Sequence, residues 1–140
     1  MKLSNVANRF LSYVGYDTQS SEETKTVPST PGQMRFAEVL VEELKELGLH
    51  DVHLSQYGVV YAMLPTNIDH VVPTVGFIAH MDTSPDLTGA NINPQISENY
   101  DGQDIVLNRD LDVVLSPKEF PDLKRYVGKD LITTDGTTLL

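Results

Sequence analysis

Two residues stand out for chemistry, His80 and Asp82, at the point where the apolar run Val75-Gly76-Phe77-Ile78-Ala79 turns abruptly polar. Side chains alternate along an extended chain, so His80 and Asp82 are expected on one side and Met81 on the other. An imidazole beside a carboxylate can be a metal ligand with its orienting partner, or half of an acid–base pair. One imidazole does not hold a zinc ion, which takes about three protein ligands at a catalytic site. The same pattern also describes a histidine that merely hydrogen-bonds a turn at a strand end, and spacing alone favours that plainer use.

The element that must position the pair is the run itself. Val75 to Ala79 is apolar on both faces, which predicts a strand buried in the middle of a covered sheet. In open α/β sheets ligands sit beyond the carboxyl ends of such strands, where His80 and Asp82 fall. The expected fold class is therefore α/β, with a mixed, largely parallel sheet flanked by helices. Ser4 is placed to cap a first helix carrying Val6, Phe10, Leu11 and Val14 on one stripe, with Gly15 as its stop. Asp17 to Thr30 is rich in Ser, Thr and Glu without any period and reads as an exposed connecting loop.

Thr30-Pro31-Gly32-Gln33 predicts a helix start, with Thr30 as cap, Pro31 in the first turn and Gln33 closing a capping box. Phe36, Leu40, Leu44 and Leu47 form its apolar stripe, and Gly48 supplies a left-handed residue at its end. Two strands are expected over 52–54 and 58–64, joined around Gln56-Tyr57-Gly58. Thr83 to Tyr100 has no periodicity and reads as an irregular excursion. Short strands follow at 104–107 and 113–115, then a short helix before Tyr126 limited by Pro121. Leu131 to Thr138 predicts a hairpin about Asp135-Gly136.

Composition narrows the classes further. A chain of 140 residues with 40% hydrophobic and 21% charged content is globular and large enough to bury a core. No apolar run approaches the roughly 20 residues that span a bilayer. The amino terminus lacks the apolar stretch of a signal peptide, so a cytoplasmic protein is expected. With no cysteine, any metal ligands must be His, Asp or Glu. A net charge of −10 argues against nucleic acid and anionic membrane as partners, because both call for basic patches. His50, His53 and His70, like Asp86, Asp101, Asp104, Asp110 and Asp112, sit in turn-like or alternating surroundings and read as solvated residues. There is no phosphate-binding glycine loop, nucleophile elbow or internal repeat.

Several blocks closely resemble the peptidase T family, the tripeptide aminopeptidases of the di-zinc exopeptidase group. They are Val27-Pro28-Ser29-Thr30-Pro31-Gly32-Gln33, Gly76 through Asp86, Asn93-Pro94-Gln95-Ile96 with Glu98-Asn99-Tyr100, and Leu131-Ile132-Thr133-Thr134-Asp135-Gly136. The likeness runs in order along essentially the whole chain. It implies a zinc-peptidase-like α/β domain with an inserted lid domain, and a centre of two zinc ions that hydrolyses short peptides. His80 then corresponds to a metal ligand. Asp82 corresponds to the active-site carboxylate that supports it and is counted among the catalytic residues. A tripeptide is the implied substrate, and a Glu of a later Glu-Glu pair the implied general base.

The family's next block, Gly-Ala-Asp-Asp with the bridging Asp, would follow Leu140, and the general base, the remaining ligands and the lid lie beyond it as well. Residues 1–140 are thus expected to be an incomplete, N-terminal part of the catalytic domain, offering at most one partial metal site and inactive alone. A central strand stripped of its neighbours would expose an edge that invites association. The alternative is a metal-free acidic α/β module serving in binding or interaction, with His80 purely structural. Tripeptide preference and oligomeric state are not written in these residues.

Overall fold

The computed structural model describes residues 3–139. Along the chain lie α1 (Asn5–Tyr13), α2 (Pro31–Glu46), β1 (His50–Leu54), β2 (Val60–Met63), β3 (Gln95–Ser97), β4 (Ile105–Asn108), β5 (Val113–Leu115), a 3-10 helix (Pro121–Tyr126) and β6 (Leu131–Thr133). They fall into two compact units, Tyr16–Pro85 and the described residues on either side of it.

In the unit Tyr16–Pro85, α2 is the organising element. Pro31 sits in its first turn, Leu47 ends it, and Gly48 follows at φ +79°, the left-handed conformation expected of a glycine there. Its inward face is Gln33, Phe36, Ala37 and Val41, with Leu40 and Leu44 half-buried; Leu47 is exposed, so the stripe stops a turn earlier than its leucines imply. This face lies against the antiparallel β1–β2 hairpin. Gly58 turns that hairpin at φ +78°, where a Cβ would stand 2.6 Å from Pro28 Cγ. Thr30 does not cap α2 with its side chain as expected; its hydroxyl donates to the Gln19 carbonyl at 2.8 Å instead.

The expected central strand is not formed. Residues 71–79 pair with nothing among the described residues, and Val75, Phe77 and Ile78 are 73%, 94% and 101% exposed. Apolarity on both faces expresses a need for cover that no other described segment meets. The largely parallel sheet is corrected with it. The described strands form three two-stranded antiparallel sheets, and parallel pairing is confined to an isolated bridge between Gln19 and Thr83. The architecture is a small α/β fold of short antiparallel strands and a few helices.

In the other unit, Ser4 caps α1 as expected, its Oγ accepting from Ala7 N at 3.2 Å, but Val6 and Phe10 remain exposed. β4 and β5 form a hairpin. The expected hairpin over 131–138 is replaced by a longer-range pairing. β6 aligns with β3, Ile132 opposite Ile96, so a strand forms within 83–100, where an irregular excursion is expected. Asp135 takes the amide and hydroxyl of Thr137 on its own Oδ1, at 3.0 and 2.6 Å, so the residues after the turn are held locally and build no strand rung. The most buried aromatic here is Tyr100, whose hydroxyl donates to the Gln103 carbonyl at 2.8 Å.

Candidate functional site

His80 and Asp82 meet. His80 Nδ1 lies 3.1 Å from Asp82 Oδ1, the short i to i+2 contact that alternation along an extended chain allows. Both side chains are substantially exposed, at 84% and 49%. With Nδ1–H donated to the carboxylate, the neutral imidazole carries its free lone pair on Nε2, the arrangement of a metal-ligating histidine with its supporting acid. The same contact equally suits an imidazole that exchanges protons.

The two sides of the pair differ in how they are held. Upstream lies the unpaired run 71–79. Downstream, Thr83 is fastened to the start of the loop that follows Tyr16. Thr83 N donates to the Thr18 carbonyl at 3.3 Å, and Ser20 N donates to the Thr83 carbonyl at 2.9 Å. Ser20 Oγ donates to the same carbonyl at 3.0 Å, and Gln19 Nε2 to the Pro85 carbonyl at 3.1 Å. The loop expected to be a solvated connector is therefore the support of the motif, with Thr18 only 3% exposed. The signal that could have found it was the concentration of hydroxyls at Thr18, Ser20, Ser29 and Thr30, residue types that satisfy stray backbone groups.

The other histidines stay apart from the pair. His53 stacks on Tyr61 with centroids 4.9 Å apart and holds Nδ1 2.8 Å from the Asp51 carbonyl. His70 Nδ1 lies 3.4 Å from its neighbour Asp69, in an exposed stretch. Asp101 and Asp104 serve local structure, accepting from Gln103 N at 2.9 Å and from the Ser116 hydroxyl at 2.6 Å. Asp135, which also accepts from Asn93 at 3.3 Å, has its carboxyl held below the usual range, chiefly by the Thr137 hydroxyl and amide. Burial first, and then Asp101 and Asp104, push the Tyr100 phenol up.

Among the described residues no three His, Asp or Glu side chains converge as metal ligands. The donor set fits one imidazole ligand with its carboxylate support and does not complete a zinc site. No helix among the described residues is long and apolar enough to cross a membrane.

No family model matches the chain. Among curated proteins it is similar to peptidase T of Halothermothrix orenii, 62% identical over 138 residues, which is 99% of this chain and 34% of that protein. Peptidase T of Listeria innocua is 61% identical over 132 residues, 94% of this chain and 32% of the relative. Peptidase T of Bacillus licheniformis is 58% identical over 137 residues, 98% of this chain and 33% of the relative. The resemblance to peptidase T read from the motifs thus holds along almost all of this chain, which spans about a third of the length of the curated relatives it matches.

Proposed function

We propose that this chain is the N-terminal portion of the catalytic domain of a zinc-dependent tripeptide aminopeptidase, and that it contributes His80 as a zinc ligand and Asp82 as the group that orients it. The observation that carries the reading is the 3.1 Å contact between His80 Nδ1 and Asp82 Oδ1. It fixes the imidazole by one nitrogen and leaves the other for a cation. The similarity to peptidase T over nearly the whole chain supports the same assignment. Zinc, when bound, supplies the Lewis acidity that activates water and polarises a peptide carbonyl.

The part this chain plays is to present Nε2 and to hold Nδ1–H through Asp82, which sets the tautomer and raises the basicity of the ring. In this reading the enzyme is cytoplasmic, and the net charge of −10 argues against nucleic acid as its partner. By itself the chain has no activity in this reading, since one imidazole does not assemble a two-zinc centre.

Two measurements test the proposal. The purified 140-residue chain, supplied with zinc, should leave tripeptides intact, and zinc-dependent release of their N-terminal residue would refute it. In the full-length peptidase carrying this sequence, His80→Ala should abolish hydrolysis and lower bound zinc, while Asp82→Asn should cost roughly 10–100-fold in activity or metal affinity. An unchanged zinc content in His80→Ala removes His80 from the ligand set.

A further inference from the structure

Gln33 is a polar residue on the inward face of an amphipathic helix, and it is 7% exposed. A carboxamide buried in that way has to find partners for its acceptor and its donors. Gln33 Oε1 accepts from Ser29 N at 3.1 Å. Its Nε2 donates to Ser29 Oγ at 3.1 Å, to the Thr18 carbonyl at 3.3 Å and more weakly to the Gln19 carbonyl at 3.5 Å. An ordinary capping box would end at the amide of Thr30, the N-cap residue. Here the side chain reaches past it, to the loop behind.

The consequence lies in one atom. The Thr18 carbonyl receives Gln33 Nε2 from one side and the amide of Thr83 from the other, each at 3.3 Å. Thr83 directly follows Asp82. Gln33 is therefore two hydrogen bonds from the backbone of the His80–Asp82 motif, although it lies far from it in sequence. Gly32 serves the same approach, because a Cβ there would collide with the Asp17 carbonyl oxygen.

We propose that Gln33 is a positioning residue for the His80–Asp82 pair, acting through the Thr18 carbonyl that it shares with the Thr83 amide. The proposal rests on the role given to that pair above. Only a carboxamide meets the requirement. A glutamate keeps the acceptor for Ser29 N but has no donor for the carbonyls of Thr18 and Gln19, and an apolar side chain supplies neither.

The test compares the 15N-labelled 140-residue chain with Gln33→Glu, Gln33→Met and Asp82→Ala, at a pH where the imidazole is neutral. In Gln33→Glu the Ser29 amide should keep its protection while the Ser20 and Thr83 amides exchange about tenfold faster. In Gln33→Met all three should lose it. In both, the ring-nitrogen shifts of His80 should move toward those of Asp82→Ala, a change that a purely stabilising role for Gln33 would not produce. The Ser55 amide, bonded to the Val59 carbonyl at 2.9 Å in the β1–β2 turn, reports that the unit is still folded. Unchanged Thr83 exchange and unchanged His80 shifts overturn the proposal while leaving the pair itself standing. Loss of Ser55 protection in both variants makes Gln33 a general stabiliser and also overturns it. If the unsubstituted chain already matches Asp82→Ala, the pair is not held, and this proposal falls together with the role assigned to His80.

Discussion

Replacing Gly32 by alanine sets two calculable effects against each other. Within a helix, alanine is favoured over glycine by about 1 kcal/mol, and the φ of Gly32 lies outside the left-handed range, so the backbone itself raises no objection. The space does. The new Cβ would overlap the Asp17 carbonyl oxygen and stand 3.1 Å from its carbon, and those are backbone atoms, not the end of a flexible side chain. Asp17 has little room to yield, since its Oδ1 accepts from Gln19 N at 3.2 Å and its neighbour Thr18 is held by Gln33 and Thr83. Overpacking of this sort costs about 1–3 kcal/mol, at the upper end where the obstacle is fixed. Subtracting the propensity gain leaves a net loss of about 1–2 kcal/mol. Urea titration of the variant, read by the amides of Ser20, Ser55 and Thr83, should show earlier unfolding of the unit Tyr16–Pro85. Equal or greater stability would mean that the loop after Tyr16 does not press on α2, and the support described for the motif would be lost.

Other outcomes follow from the same structure. The Asp135 carboxyl is held below its ordinary range, so it contributes stability above about pH 4 that disappears as the pH falls through the lowered value. Asp135→Ala should therefore flatten the acid end of the stability curve, and coincident acid titrations of the two proteins would contradict the Thr137 hydrogen bonds. With Phe77 and Ile78 almost wholly exposed, the chain should self-associate through 71–79. Burying one such side chain is worth about 1.5–3 kcal/mol, so Ile78→Lys should weaken association by roughly tenfold or more in sedimentation experiments. An unchanged sedimentation profile would count against that segment as the contact.

What could be read from the residues was whatever local chemistry decides. The start and end of α2, the Ser4 cap, the β1–β2 turn and the strands β4 and β5 all depend on neighbours within a few residues, and each stands near its expected place. The larger failures are choices of distant partner. Thr30 has the side chain of a cap but spends it on Gln19. Leu131 to Thr133 is a strand as expected, yet it pairs with Gln95–Ser97, because a β-former next to an Asp-Gly turn specifies extension and not a mate. Val75 to Ala79 carries the composition of a central strand, and composition cannot supply the neighbours that make a strand central.

The candidate site divides along the same line, and the division has a physical meaning. The contact between His80 and Asp82 joins residues two apart, so it needs no distant chain closure, and its 3.1 Å geometry can persist with both side chains in water. Where the pair stands in space is a separate matter. It is settled by bonds that reach back across 63 and 66 residues, from Ser20 Oγ to Thr83 and from Gln19 Nε2 to Pro85. On the proposed reading, a ligand and its supporting acid touch through a local contact and are located by non-local bonds. A substitution in the motif should remove the pair outright, while one in the loop after Tyr16 should loosen the pair and let it shift from its place. If the proposed metal-assisted hydrolysis holds, it is sensitive to such misplacement, because catalytic groups lose efficiency when held about 1 Å from their productive geometry. In the full-length peptidase, loosening Thr18 or Ser20 should therefore lower turnover more than zinc content, whereas His80→Ala should lower both.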